Sequence, residues 1–343
     1  MRIVLDAMGS DDCPEPEVQA AIDAFKLFGD EIILVGPADQ LKPKLQALAG
    51  PNPPVQLVNA DEVITMEDKG LALALKAKKK ESKTSMAVGI DLVKNGQADA
   101  FVTAGNTGGA LATAYYRLGL VPGLERPGLT AIFPVKGGRC IVLDIGTNPE
   151  CKPEHLLQFA VMGTMYARAI HGIESPRVGL LSNGEEAGKG NDLVKGAYPL
   201  LEASGLNFFG NVEGKEIFGG SVDVVVTDGF SGNVLLKSSE AVAKLLVDIL
   251  KEELMSSLRT KIGAALAKPA FNKLRKMLDP AEVGAALLLG VNGLVFIGHG
   301  RSDARALTSA IRLARQTVEA NLLGGVQTAI QEQISKLHSQ ESA

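Results

Sequence analysis

Cysteine and histidine are scarce in this 343-residue chain. The three cysteines, Cys13, Cys140 and Cys151, show no C-x-x-C spacing, which suits a reducing compartment and supplies no thiolate metal site. The histidines include no H-E-x-x-H and no paired spacing, so no metal is expected. His155 stands at a helix start, His171 and His338 read as surface residues, and His299 closes a strand. No Ser-His-Asp order is evident, and no Walker A loop exists. Gly105-Asn106-Thr107-Gly108-Gly109 does not match G-x-G-x-x-G, so no dinucleotide cofactor is expected. Basic charge is not in excess: 35 Lys and Arg stand against 39 Asp and Glu, net −4. That balance argues against nonspecific nucleic-acid binding. No apolar run reaches the roughly 18 residues that a membrane-spanning helix needs. The longest, 285–297, is interrupted by Asn292 and glycines. The opening MRIVLDAMGS reads as a first strand rather than a signal peptide.

What the chain does have is alternation. Strands are expected at 2–5, 31–35, 55–59, 100–103, 140–143, 177–181, 222–226 and 293–297, with helices at 16–28, 39–48, 85–95, 153–170 and 304–321. This grammar predicts an α/β protein, a mostly parallel sheet with helices on both faces. We read 1–343 as one α/β/α catalytic domain with two lobes around a cleft. A helical segment, 234–280, protrudes from it. The tail from Gln331 is polar and expected to fray.

The 98–120 stretch, ADAFVTAGNTGGALATAYYRLGL, is strand, glycine turn, helix. That order aims backbone N–H groups and a helix dipole at an anion, and Gly105, Gly108 and Gly109 let a phosphate approach closely. The plain alternative is a tight turn with Thr107 as the helix cap. Other strand ends also carry Asp, Asn, Glu, Lys, Gly or His, at 6–11, 144–148, 183–190, 228–233 and 299–300. In a parallel sheet such ends share one edge, where ligands bind. Ordinary turn chemistry would explain any one of them.

Taken together the motifs are familiar. Asp6-Ala7-Met8-Gly9-Ser10-Asp11, Ala60-Asp61-Glu62-Val63-Ile64, Ala104-Gly105-Asn106-Thr107-Gly108, Lys152-Pro153-Glu154-His155-Leu156, Gly179-Leu180-Leu181-Ser182-Asn183-Gly184-Glu185-Glu186, Gly210-Asn211-Val212-Glu213-Gly214 and 226–234 occur in this order. The chain resembles the bacterial acyl-ACP:phosphate acyltransferase family from Met1 to about Asn321. The resemblance implies transfer of a fatty acyl group from acyl carrier protein to inorganic phosphate, giving acyl phosphate for phospholipid synthesis. It implies a three-layer, Rossmann-like α/β/α fold related to phosphotransacetylases and isocitrate-type dehydrogenases. It also implies a cytoplasmic homodimer, peripherally attached to the membrane and serving a downstream glycerol-phosphate acyltransferase. Ser10 stands where the family usually has Gly, and Asp12 where His is common. If position 10 needed a positive φ, serine would cost on the order of 1 kcal/mol.

Under that resemblance we assign Asn106, Lys189, Asp228 and Asn233 to catalysis. Asp6, Gly9, Gly105, Thr107, Gly108, Asp144, Asn148, Asn183, Glu185, Gly229 and His299 are assigned to phosphate and substrate binding. Phosphate is already an anionic nucleophile, so positioning suffices. Lys189 is the expected charge partner. Acyl carrier proteins are acidic, so docking should use a basic cluster. One is Lys76, Lys78, Lys79, Lys80 and Lys83; the other is Lys268, Lys273, Arg275 and Lys276. From 259 to 278 there are six Lys or Arg and no acid. Leu254, Leu258, Ile262 and Leu266 recur every four residues, and Pro269 is expected to break the run into two helices at an exposed elbow. A basic amphipathic elbow suits an anionic bilayer, and the same stripe suits a dimer interface. Two rival readings remain: an isocitrate-type NAD-dependent dehydrogenase, and a noncatalytic scaffold of lipid synthesis.

Overall fold

The computed structural model describes residues 1–79 and 81–341, with side chains as far as 335. Lys80 and the side chain of His338 therefore lie outside the described residues. In chain order the first half is β1 (Arg2–Asp6), α1 (Glu15–Phe28), β2 (Glu31–Gly36), α2 (Ala38–Ala49), β3 (Gln56–Asn59), α3 (Gly70–Lys78), α4 (Ser85–Lys94), β4 (Ala100–Thr103) and α5 (Thr107–Leu118). The second half is β5 (Gly128–Val135), β6 (Gly138–Leu143), α6 (Pro153–His171), β7 (Val178–Leu181), α7 (Asp192–Ala203), β8 (Phe208–Val212), α8 (Gly214–Gly219), β9 (Val224–Val226), α9 (Gly229–Met255), α10 (Leu258–Leu278), β10 (Ala285–Leu289), β11 (Val295–Gly298), α11 (Ala304–Glu319) and α12 (Leu322–Glu341).

One sheet carries eleven strands in the order β3-β2-β1-β4-β11-β10-β5-β6-β9-β7-β8. Its central strands are near-continuous apolar runs: Ile3-Val4-Leu5, Ile141-Val142-Leu143 and Val224-Val225-Val226 are buried. Strands buried on both faces need no polar alternation, because helices cover each side. Two cores result, one on each face of the sheet.

The sheet is not parallel throughout. β1, β2, β3, β4 and β11 run one way. β10 is antiparallel to β11, β5 to β10, and β6 to β5, while β9, β7 and β8 follow β6. Three reversals leave the second set of parallel strands opposite to the first. The expectation that every strand end meets at one edge is therefore corrected. The 6–11, 103–109 and 299–300 loops lie at one edge; 144–148, 183–190 and 228–233 lie at the other.

Two of the reversals are hairpins that apolar periodicity did not reveal, and the third is the long-range pairing of β5 with β10. β5 was not expected at all. The run 285–297 is a hairpin, β10 and β11, whose turn holds the interrupting Asn292 and glycines. Pairing of β5 with β10 covers Leu129 with Leu288 and Gly128 with Leu289. At the next position the buried Thr130 hydroxyl donates to the Leu287 carbonyl and accepts from the Leu287 N–H, both at 3.1 Å. A side chain standing between two backbones holds them apart.

The helical protrusion also differs from expectation. α10 continues through Pro269, and the break falls at Ser256-Ser257, where Ser257 caps α10. The polar tail is helical rather than frayed: Leu322, Val326 and Ile330 are buried, and Ile334 packs at Gly123.

The first turn of α9 sits directly on the 144–148 loop. A Cβ at Gly232 would lie 1.9 Å from the Asp144 carbonyl oxygen. Gly232→Ala should lower stability by about 1–3 kcal/mol, as overpacking does. Urea denaturation checks this, and an unchanged midpoint would mean that α9 does not rest on Asp144.

Candidate functional site

At the first edge, the carboxylate of Asp6 organises three loops. Its Oδ2 accepts the Thr103 hydroxyl at 2.8 Å, and its Oδ1 accepts the Met8 N–H at 3.1 Å. Burial pushes its carboxyl above the usual range, partly offset by the Ser85 and Thr103 hydroxyls and the Met8 N–H. Thr103 Oγ1 in turn accepts the Gly105 N–H at 3.0 Å. A Cβ at Gly9 would lie 2.8 Å from the Gly105 nitrogen, so only glycine permits this approach. The Asp11 N–H donates to the Gly300 carbonyl at 2.7 Å, joining the 299–301 loop.

Asn106, and not Thr107, caps α5. Its Oδ1 accepts the Gly109 N–H at 3.0 Å, while Nδ2 donates to the Thr65 and Asp68 carbonyls at 2.9 and 3.0 Å. Its amide is thus engaged at both ends in holding the turn. The backbone N–H groups of Asn106, Thr107 and Gly108 have no hydrogen-bond partner among the described residues. Thr107 is exposed beside them. Three free donors thus sit on the positive end of a 12-residue helix, an arrangement that suits an anion.

Ser10 adopts no positive φ, since Asn321 is the one non-glycine that does among the described residues. The anticipated strain is absent. The Ser10 N–H donates to Glu17 Oε1 at 2.8 Å, and burial pushes the Glu17 carboxyl up to about 7. Asp12 is exposed.

At the second edge, Asp144 is completely buried and accepts the N–H groups of Leu129, Gly146, Thr147 and Asn148 and the side-chain amide of Asn148. Asn148 also donates to the Pro127 carbonyl at 2.6 Å and accepts Gly229 N–H on its own carbonyl at 2.7 Å. Asp228 caps α9 through the Ser231 N–H and hydroxyl, both at 2.8 Å. These groups hold the loop in place, whereas the exposed Asn233 lines the groove described next. The 183–190 loop stands apart. Asn183 Oδ1 accepts the Gly190 N–H at 2.9 Å, and Glu185 pairs with Lys215. Lys189 is exposed and forms no ion pair among the described residues.

The two edges communicate through a groove of about 1110 Å³ on the sheet face. Gly105, Thr107, His299, Gly300 and Arg301 line one end; Ile145, Gly146 and Asn233 line the other. Between them lie β5, the start of β10 and the flank of α9. Asn183, Glu185 and Lys189 are not among the lining residues. Asp11, from the 6–11 loop, lines it as well, and so does Arg301, which no motif pointed to. Arg301 follows the His299-Gly300 pair directly, and attention to histidine hid the adjacent guanidinium.

A family described as fatty acid synthesis protein matches residues 1–324. The phosphate acyltransferase of Acidobacterium capsulatum is 47% identical over 321 residues, covering 93% of this chain and 94% of that protein. That of Pelotomaculum thermopropionicum is 46% identical over 332 residues, covering 96% and 95%. The chain belongs to the fatty acid synthesis protein family. Membership places it among transferase enzymes and sets aside the dehydrogenase and scaffold readings. Two solved structures share the fold of this family member. A phosphotransacetylase from Streptococcus pyogenes has a TM-score of 0.63 at 19% identity, covering 94% of each chain. A 4-hydroxythreonine-4-phosphate dehydrogenase from Klebsiella pneumoniae has a TM-score of 0.55 at 15% identity, covering 93% and 99%.

Two predictions follow from this geometry in the family member. Thr107→Val should raise the phosphate KM by about tenfold, the loss of roughly 1.4 kcal/mol from one hydrogen bond to an anion. Lys189→Ala should change it less than about twofold, since its loop is not at the groove. Initial rates across phosphate concentrations decide both, and the reverse pattern would move the anion site to the 183–190 loop. Glu17 titrates at about 7 in the fold against an ordinary 4.5, so its contribution to stability is complete below 4.5 and lost as pH rises through 7. Glu17→Gln should flatten that part of the stability–pH curve. An unchanged slope in thermal melts would contradict the burial of its charge.

Proposed function

We propose that the chain moves a fatty acyl group from the thioester of acyl carrier protein to inorganic phosphate, giving acyl phosphate for phospholipid synthesis. The observation that carries this reading is the free N–H cradle at the mouth of an apolar groove. The relatives' activity as phosphate acyltransferases supports it. Phosphate rests on the Asn106, Thr107 and Gly108 N–H groups. One of its oxygens attacks the thioester carbonyl carbon, the C–S bond breaks, and the thiolate leaves. A thiol of ordinary pKa about 8.5 leaves with little acid assistance. Catalysis then consists of alignment and stabilisation of the oxyanion, for which His299 and Arg301, lining the same end of the groove as Thr107, are the nearest side-chain donors. The test is phosphate-dependent release of carrier protein from its acyl thioester; release at the same rate without phosphate would refute the reading.

The carrier protein docks, in this reading, on Lys268, Lys273, Arg275 and Lys276. The next residues, Met277 and Leu278, line the groove, so this cluster flanks its mouth. In the alternative cluster Lys76 is held by Asp68 and Lys78 lies over Tyr116. Charge reversal at Lys273 and Arg275 should raise the carrier KM several-fold and reduce its salt dependence; an unchanged KM would exclude this surface.

The α9–α10 hairpin serves the homodimer and the membrane. Leu245, Leu246 and Ile249 on α9, and Leu258, Ile262 and Leu266 on α10, are exposed. No helix among the described residues is long and apolar enough to cross a membrane. Peripheral contact with anionic lipid would hand acyl phosphate to the downstream glycerol-phosphate acyltransferase. Leu258→Glu/Leu266→Glu should abolish pelleting with anionic vesicles. A folded dimeric variant that pellets as before would exclude the hairpin as anchor.

A further inference from the structure

Beyond Thr130, β5 and β10 part company. β5 continues to Val135 paired with β6, and β10 begins at Ala285 paired with β11. Consecutive residues of both strands, 129–134 and 283–286, line the groove. In an intact ladder successive side chains point to opposite faces, and one face alone would line a surface groove. Here the groove enters the seam between the strands. The seam is held open by a buried, doubly bonded threonine hydroxyl.

The walls of this seam are small at its middle. Ala131 on β5 and Ala286 on β10 are half-buried and pack on the same core as Leu129, Ile297 and Leu236. Phe133, stacked on Phe218 at 5.9 Å, closes one flank. The seam is continuous with the Gly105–Thr107 end of the groove. A slot with walls this apolar suits a flexible hydrocarbon chain whose polar end lies at the free N–H groups.

We propose that the seam between β5 and β10 is the binding site of the acyl chain, and that Ala131 and Ala286 limit the chain length it accepts. This rests on the acyl-transfer reading above. Thr130 is then a positioning residue that keeps the slot open, and a second copy of this chain or a partner helix is the competing occupant.

Ala131→Leu and Ala286→Leu, with Ala131→Val as a milder variant, are to be assayed with palmitoyl and octanoyl thioesters of acyl carrier protein plus phosphate. Folding is checked by circular dichroism and association by sedimentation. The expected result is a fall of about tenfold or more in the palmitoyl to octanoyl ratio of kcat/KM, graded from valine to leucine. Folded variants that keep the wild-type ratio would overturn the proposal. So would loss of dimer with equal loss for both thioesters, which would assign the slot to a second copy. Failure of the transfer reading itself is separate: wild type would then release neither carrier in response to phosphate.

Discussion

One hydroxyl decides how the two halves of this sheet meet. Thr130 satisfies both the N–H and the carbonyl of Leu287, so the β5–β10 ladder can end without leaving buried backbone groups unpaired. Leaving them unpaired would cost about 1–3 kcal/mol each. The seam that follows is therefore a stable feature of the sheet, and the groove depends on it. The reversed strand directions on either side of the seam place one set of strand-end loops at each end of that groove.

The two ends are built by the same device and serve different purposes. Asp6 and Asp144 both close a strand, are both buried, and both organise the following loop by accepting its N–H groups. Around Asp144 the N–H groups turn inward and are consumed by the carboxylate. Around Asp6 the turn is held instead by Thr103 and the Asn106 cap, which leaves three N–H groups of the α5 terminus facing outward. In the proposed reading, free donors and not charged side chains define the anion site.

Much of the fold was legible. The apolar runs at 2–5, 140–143 and 222–226 gave strands close to their observed bounds, because strands buried on both faces announce themselves by composition alone. β5 was missed because Gly128 to Val135 includes Thr130 and Pro134, and its role as a seam is set by partners far away in sequence. Pro269 misled for the opposite reason: α10 accommodates it, while the uncelebrated Ser256-Ser257 pair forms the break through a local cap. The structure brings Gly9, Gly105, Thr107, Gly108 and His299 to one end of the sheet, since strand-end glycines mark close backbone approach. Lys189 lies elsewhere, because its strand, β7, stands beyond β9, next to the outermost strand of the reversed half and away from the groove. Strand direction is a long-range property that no local motif encodes.

In the proposed reaction, phosphate held at the α5 terminus attacks the acyl thioester. Hydroxylamine trapping in the presence of ¹⁸O-labelled phosphate tests it most directly. The prediction is a phosphate-dependent acyl hydroxamate, and, in samples without hydroxylamine, acyl phosphate whose bridging oxygen carries the label, with the phosphate dependence weakened in Thr107→Val. Formation of free fatty acid at a rate indifferent to phosphate, with no hydroxamate, would contradict it.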